Sequence, residues 1–384
     1  CAGPCSATRT ALVTGRYQQR FEIGLEEPLS PRLKDLALPP DTPTIASRFK
    51  ALGYRTALIG KWHVGALPQH GPTHYGYDHF FGISGGAADY FGHAGAPADP
   101  KGGRQGLFND TTPVERTGYL TDLLAQEASR WIAADEAPYF CSFHFNAPHW
   151  PWEGPQDEAH SRALKELRDP SGGSLETYAK MVKAMDLAIG RVLDSLARSR
   201  PGHEVLIVFT SDNGGERYSD TWPLTGVKGE LLEGGIRVPL IVNWVGKVKA
   251  GGVTDQVMTS MDFMATLLAA AGGAPLSADE TDGVNLLPQI LGQAAPIPRK
   301  LFWRYNANDQ AAVRDADWKY LKLGGKEHLF NVAKDPRERA ELADVHPEVF
   351  ARLKQEWAQW DAQMLPYGPD DFSENVKGHY ADRY

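Results

Sequence analysis

The sequence predicts an α/β protein with a large, mostly parallel sheet sandwiched by helices, plus a small C-terminal antiparallel sheet with one helix. Two observations lead to this prediction. Strand-like and helix-like segments alternate through residues 44–271, a pattern that favours a parallel sheet covered on both faces. From residue 301 onward, short strand-like runs follow one another before a final helix, which is typical of a small antiparallel sheet.

The apolar pattern justifies each element of the first part. The clearest helix covers 175–199, where apolar residues keep a 3.6-residue period. The continuous apolar run at 205–210 predicts a strand buried on both faces. The predicted order is helix 6–14 with a stop at Gly15, helix 44–52, strand 54–59, helix 119–134, strand 139–146, helix 175–199, strand 205–210, strand 238–243 and helix 262–271.

A linker is predicted at 293–298, where two prolines interrupt the pattern. It separates a large first domain at 1–295 from a C-terminal α+β subdomain at 296–384. The C-terminal part is predicted to contain strands at 301–305, 311–314 and 318–323, a helix near 347–362 and a polar tail.

Composition excludes several classes of function. The chain has 384 residues, 42% of them hydrophobic and 23% charged, which is ordinary for a globular protein. The net charge of −8 gives no support for nucleic-acid binding, which usually shows a basic patch. No apolar run approaches the roughly 20 residues of a membrane span. Three cysteines are too few for a dense disulfide framework.

The first candidate site residues lie at the start of the first predicted helix. Cys5 stands at its N-terminal end, where a helix favours bound anions, and Arg9 follows four residues later. Taken alone, a cysteine at a helix start is more often a buried structural residue. Its significance depends on the other motifs.

Basic side chains follow two predicted strands. Lys61 and His63 lie two residues apart after strand 54–59, and on an extended segment such side chains point the same way. His149 follows strand 139–146, at the strand exit where α/β sheets bind ligands. His144 lies inside that strand and is interpreted as structural or as a substrate contact. The alternative for Lys61 and His63 is a basic strand end beside a buried tryptophan.

Asp212 and Asn213 come directly after strand 205–210 and offer hard oxygen ligands that suit Ca²⁺ or Mg²⁺. The same Asp-Asn-Gly sequence is also a common turn. Lys228 opens a glycine-rich block at 228–239, in which Glu233 and Arg237 are interpreted as a structural ion pair. The block is no nucleotide loop, because the P-loop pattern is missing.

Together these motifs resemble those of the type I, formylglycine-dependent sulfatases of the arylsulfatase kind, in the alkaline-phosphatase superfamily. Two signature positions depart from the family pattern, since Ala7 stands where proline is usual and Thr8 where serine is usual. Leu232 replaces the family's common tryptophan. The five blocks span residues 5–239 in family order, and later blocks at 282–288 and 314–320 extend the resemblance.

The resemblance implies hydrolysis of sulfate esters. Cys5 would be oxidised by a maturase to formylglycine, whose hydrate attacks sulfur. The implied catalytic residues are Cys5, Arg9, Lys61, His63, His149 and Lys228. The implied ligands of Ca²⁺, or of Mg²⁺, are Asp212, Asn213 and the modified Cys5. The implied substrate is a sulfated carbohydrate or an aryl sulfate, and the implied location is periplasmic or secreted.

In the resembling family, a strand with two acidic metal ligands precedes the signature, so we interpret the chain as N-terminally truncated and expect metal binding to be weak or absent. Two alternatives stay open: a phosphonate monoester or phosphodiester hydrolase of the same superfamily, and an inactive fragment. Candidate residues for the pocket mouth are the stretch 84–93, the loop 94–112, Trp150, Trp152, Trp222 and the C-terminal tail.

Overall fold

The computed structural model describes residues 5–95, 106–164, 167 and 172–375. Its α-helices are, in chain order, α1 (Cys5–Thr14), α2 (Ile45–Ala51), α3 (Leu120–Ala133), α4 (Glu158–Ala163), α5 (Leu175–Ser199), α6 (Glu233–Ile236), α7 (Asp262–Ala270), α8 (Leu287–Ile290) and α9 (Pro347–Asp361). Its strands are β1 (Arg55–Lys61), β2 (His79–Ile83), β3 (Leu107–Asn109), β4 (Thr112–Val114), β5 (Tyr139–His144), β6 (Leu206–Thr210), β7 (Leu240–Trp244), β8 (Lys300–Tyr305), β9 (Gln310–Asp315), β10 (Trp318–Leu323) and β11 (Lys326–Asn331).

The chain forms two compact units. Unit 1 comprises Cys1–Pro28 and Glu204–Tyr384, and unit 2 comprises Leu29–His203. Unit 1 therefore contains residues from both sides of the boundary predicted at 295/296, and that boundary stays a prediction. No described helix has the length and apolar character needed to cross a membrane.

A five-stranded sheet in the order β4-β3-β2-β1-β5 forms the centre of unit 2. β1 pairs in parallel with β2 and with β5, while β3 and β4 extend the sheet in the antiparallel sense. Helices α3 and α5 bury Leu124 and Met181 against Ala57 and Ile59 of β1. On the opposite face, Phe49 of α2 stacks on a β5 ring. The predicted arrangement of helices around a mostly parallel sheet is confirmed.

Unit 1 contains the antiparallel sheet predicted for the C-terminal part. Its four strands run in the order β11-β10-β9-β8. One face packs against Leu353 of α9, and the other buries Trp303 and Tyr305 with Leu231 of the glycine-rich block. The C-terminal sheet with one helix is therefore confirmed, and its two faces attach it to different parts of the same unit.

The strand predicted at 205–210 exists, but the prediction that it is buried on both faces is wrong. Within the described residues, β6 pairs with β7 alone, in a two-stranded antiparallel ribbon. Phe209 is 40% exposed and Ile241 of β7 is 59% exposed. Apolar composition therefore located the strand, but whether its faces are covered depends on the elements around it.

Candidate active site

Helix α1 brings Cys5 and Arg9 to one face, because residues four apart on a helix are neighbours. Cys5 is the first residue of α1 and is 4% exposed. Its Sγ–H donates to Asn213 Oδ1 over 3.6 Å. Arg9 donates from Nε and Nη2 to Asp212 Oδ2, at 3.2 and 3.0 Å. The predicted nucleophile and the predicted metal ligands therefore meet in unit 1.

The end of α1 is fixed by a distant segment. Gly15 adopts a φ of +68°, which a residue with a side chain rarely takes. Its carbonyl accepts from Thr281 Oγ1 at 2.7 Å and from the Asp282 amide at 2.9 Å. The Asp282 carboxylate in turn binds Arg20 at 2.7 Å. The predicted helix stop is confirmed, and the 282–288 block acts as its support.

The segment after Asn213 is closely packed on the glycine-rich block. The Gly214 amide donates to the Gly235 carbonyl at 2.9 Å, and a Cβ on Gly214 would lie 1.9 Å from the Gly234 carbonyl oxygen. Only glycine permits this approach. The block therefore holds the Asp212–Asn213 pair at the end of β6.

Lys228 ends a loop that begins at Gly215, and its amide donates to the Gly215 carbonyl at 2.8 Å. Its ammonium pairs with Glu216 at 2.9 Å, and the two side chains are 11% and 20% exposed. Glu216 was not predicted from the sequence, because no motif marks it. The pair fixes the direction of the predicted sulfate-binding cation.

In unit 2, neighbouring parallel strands bring the other candidates to one sheet edge. Lys61 is the last residue of β1 and is 2% exposed. β1 and β5 lie side by side with Gly60 opposite His144. His149 follows β5 by five residues, in a turn closed by its amide and the Asn146 carbonyl at 2.9 Å. Lys61 and His149 therefore follow the same carboxyl edge.

His63 lies beyond the end of β1, with a φ of +59°. The expectation that Lys61 and His63 share one extended segment is therefore wrong, and strand alternation does not orient His63. Its Nε2 lies 3.1 Å from the Leu29 carbonyl oxygen. The ring packs so closely on Gly86 that a Cβ there would lie 2.5 Å from His63 Cε1.

His144 supports the end of β1, since its Nδ1 lies 3.2 Å from the Lys61 carbonyl oxygen. This contact favours the structural interpretation of His144 over that of a substrate contact.

A buried carboxyl group behind His149 was also missed. Glu153 is fully buried and accepts from the Tyr90 amide at 2.9 Å, while the Tyr90 hydroxyl donates to the His149 carbonyl at 2.9 Å. Burial, with a smaller effect from Asp89, raises the pKa of Glu153 to about 8. The raised pKa favours the neutral carboxyl form of Glu153, which accepts from the Tyr90 amide beside the turn that carries His149.

Comparison with known proteins identifies the family. The sulfatase profile matches residues 1–274, and a profile described as N-sulphoglucosamine sulphohydrolase, C-terminal, matches 228–363. The chain belongs to the sulfatase family. The predicted superfamily and the predicted class of sulfuric ester hydrolase are confirmed.

Relatives of this sulfatase include human arylsulfatase A, 30% identical over 95% of the chain and 80% of the relative. Mouse arylsulfatase J is 26% identical over 97% of the chain and 71% of the relative. Among solved structures, that of Ps i-CgsB superposes with a TM-score of 0.84 at 28% identity, covering 98% of the chain and 86% of that protein. A second structure, of Ps i-CgsB in complex with k-i-k-neocarrahexaose, gives 0.81 at 28% identity, covering 97% and 85%.

The side-chain oxygen atoms at the end of β6 are of the types that coordinate a hard cation. Asp212 offers a carboxylate and Asn213 a carbonyl oxygen, and Ca²⁺ takes six to eight such ligands. In the part of the chain that the structure describes, no group of three or more His, Cys, Asp or Glu side chains is arranged to hold a metal. These two residues therefore supply a minority of the ligands that a bound ion would need.

Some predicted features lie outside the described residues. These are Cys1, positions 96–105 of the loop predicted to line the pocket mouth, and 376–384 of the tail.

Proposed function

We propose that this sulfatase cleaves sulfate esters with a formylglycine nucleophile derived from Cys5, and that its substrate is a sulfated carbohydrate. The observation that carries the proposal is the convergence of four side chains in unit 1. Cys5 contacts Asn213 while Arg9, one helical turn away, binds Asp212. A purely structural cysteine would not need an amide oxygen as its partner and a carboxylate–guanidinium pair on the adjoining residues.

The proposed roles follow from charge. Sulfate ester cleavage builds negative charge on the leaving oxygen, and fixed cations stabilise that charge without reorganising. Lys228 is held by Glu216 and is proposed to bind the sulfuryl oxygens. Arg9 orients the Asp212 carboxylate. Lys61, His63 and His149 are proposed to bind sulfate and to donate a proton to the leaving group.

Asp212 and Asn213 would hold Ca²⁺, with Mg²⁺ as the second choice. When bound, such an ion supplies positive charge beside the sulfate group. Formylglycine supplies an oxygen nucleophile where the unmodified chain has a thiol. A formylglycine-generating maturase is therefore a proposed partner, and a periplasmic or secreted location is proposed on the family resemblance.

A sulfated carbohydrate is favoured over a simple aryl sulfate because a relative of this chain has been solved with k-i-k-neocarrahexaose bound. The test measures release of inorganic sulfate from that hexasaccharide and from 4-nitrophenyl sulfate, beside hydrolysis of bis-4-nitrophenyl phosphate. We expect turnover of both sulfate esters and slower turnover of the phosphodiester. Faster hydrolysis of the phosphodiester would favour the phosphodiesterase alternative.

The matched variants are Cys5→Ala and Cys141→Ala. Loss of the nucleophile is expected to lower kcat by at least about a thousandfold. Cys141 lies in β5, where burial raises the pKa of its thiol to about 12, and its loss should leave turnover unchanged. Equal activity of the two variants would contradict the assignment of Cys5.

A further inference from the structure

The loop between the predicted metal ligands and Lys228 has features that the proposed chemistry does not use. Its ends meet at the hydrogen bond between the Lys228 amide and the Gly215 carbonyl. We call residues 215–228 the Ω-loop, since a compact loop with adjacent ends is the defining feature of that class. Such loops are packed by their own side chains and are frequently functional.

Trp222 stands near the middle of the Ω-loop with 67% of its surface exposed. Tryptophan is the largest apolar side chain, and leaving it in water forfeits the gain from burial. The Arg337 guanidinium lies over its ring, with Cζ 4.7 Å from the centroid. A cation and an accessible aromatic surface are therefore presented together.

Backbone contacts hold this pair in place. Thr225 Oγ1 donates to the Arg337 carbonyl at 2.7 Å, which ties the Ω-loop to the segment that carries the guanidinium. The Trp222 amide donates to Asp220 Oδ1 at 2.9 Å, so that the nearby carboxylate is engaged by the backbone. Because the backbone at both residues is held, the exposed Trp222 and the half-buried Arg337 lose less conformational entropy on binding a ligand than they would on a free loop.

A second cation–aromatic pair lies on the same loop. The Arg217 guanidinium lies over the Tyr218 ring, with Cζ 4.8 Å from the centroid. Tyr218 has a φ of +71°, which is a strained conformation for a bulky residue. Strain of this kind persists where the surroundings impose it and is frequent at ligand-binding sites.

We propose that Trp222 and Arg337 form a subsite for a second, anionic sugar of a sulfated oligosaccharide, apart from the sugar whose ester is cleaved. The apolar C–H face of a pyranose packs on an indole ring, and a guanidinium binds sulfate oxygens in a bidentate manner. This inference rests on the proposed sulfated-carbohydrate substrate and adds where that substrate is held.

The length of chain between Trp222 and Lys228 limits the distance between the subsite and the proposed sulfate-binding lysine. Trp222 is six residues from Lys228, so their Cα atoms lie no more than about 20 Å apart. An oligosaccharide bound at Lys228 can therefore extend to Trp222, whereas a small aryl sulfate has no second sugar to place there. The subsite should therefore matter for long substrates alone.

The test compares wild type, Trp222→Ala, Trp222→Phe and Arg337→Gln, with Arg339→Gln as a charge-matched control on an exposed neighbour. Direct binding of k-i-k-neocarrahexaose is measured by calorimetry, and kcat and KM are measured for it and for 4-nitrophenyl sulfate. We expect Trp222→Ala to weaken hexasaccharide binding about tenfold and Trp222→Phe to retain most of it. Arg337→Gln should weaken binding about fivefold and reduce its salt dependence, and Arg339→Gln should change neither.

None of these variants should change kcat/KM for 4-nitrophenyl sulfate. Equal hexasaccharide binding by wild type and Trp222→Ala, or no binding by either, would overturn the subsite. So would a Trp222→Ala protein that changes its oligomeric state in light scattering while binding is retained, since Trp222 would then serve contacts between copies. Failure of the proposed chemistry is distinct from these results, because it would appear as wild-type protein that binds the hexasaccharide and hydrolyses neither substrate.

Discussion

Replacement of Lys319 by methionine should destabilise unit 1 more than any surface substitution. Lys319 lies in β10 with none of its side chain exposed. Its ammonium is 3.0 Å from Glu233 Oε1 and 2.8 Å from Glu338 Oε1, and both carboxylates are buried. Arg314 also contacts Glu233, at 3.1 Å. Lys319 therefore joins the glycine-rich block that begins at Lys228 to the C-terminal sheet.

The magnitude follows from burial. Removing one partner of a buried ion pair costs about 3–5 kcal/mol, because the remaining charge is left without compensation. Methionine is close to lysine in size, so the loss is electrostatic and leaves little cavity. The same strand offers a control in Lys322, which pairs with Asp309 at 2.7 Å but with side chains 30% and 63% exposed. Lys322→Met should cost about 0–1 kcal/mol.

The assay is equilibrium unfolding in urea, followed by tryptophan fluorescence. Lys319→Met should lower the free energy of unfolding by about 3–5 kcal/mol relative to wild type. This loss should shrink as the pH falls, because burial raises the pKa of Glu338 and a protonated carboxyl needs no partner. Lys319→Met and Lys322→Met proteins of equal stability would refute this reasoning.

Three further predictions concern catalysis and pH. Glu216→Gln should lower kcat on 4-nitrophenyl sulfate about tenfold, because it releases the Lys228 ammonium. Lys228→Ala should lower kcat about 10²- to 10³-fold. The control is Glu204→Gln, which removes an exposed ion pair and should match wild type. Asp212→Asn should weaken Ca²⁺ binding at least about tenfold in calorimetry, and undiminished binding would exclude Asp212 as a ligand. Burial raises the pKa of Glu27 from its ordinary 4.5 to about 7, so between these two pH values the folded state holds a proton that the unfolded state releases. The free energy of unfolding should therefore fall by up to about 3 kcal/mol as the pH rises from 4.5 to about 7. Urea unfolding at several pH values should show that Glu27→Gln removes this fall; an unchanged pH profile would contradict the raised pKa.

Helices and strands were predictable where their own residues show apolar periodicity and a capping residue. Helix α5 has a complete apolar period, and its Ser174 N-cap accepts from the Thr177 amide at 3.0 Å, so the helix and its start were predictable. Strands β3 and β4 were missed because each has only three residues, although they pair with each other across a tight turn. Strand β2 was missed because it is stabilised by pairing with β1 and β3, neither of which adjoins it in sequence. The exposure of β6 was missed because an apolar run carries no information about what covers it.

The candidate site was predictable where family motifs mark it. The resemblance pointed to Cys5, Arg9, Asp212 and Asn213, and the structure joins them in two contacts, one between Cys5 and Asn213 and one between Arg9 and Asp212. Contacts between distant segments were not predictable. The predicted pair of Glu233 and Arg237 is present at 3.9 Å, but the closer partners of Glu233 are Lys319 and Arg314. Lys228 likewise pairs with Glu216 because the loop between them folds back, and no local sequence pattern indicates that fold.

The most direct test of the central claim is the chemical state of Cys5. The protein is expressed beside a sulfatase maturase, and the tryptic peptide that ends at Arg9 and the one that contains Cys141 are fragmented in a mass spectrometer. We predict that Cys5 has exchanged its thiol for an aldehyde oxygen, while Cys1 and Cys141 remain thiols. An unmodified Cys5 in protein that releases sulfate from 4-nitrophenyl sulfate would contradict the account.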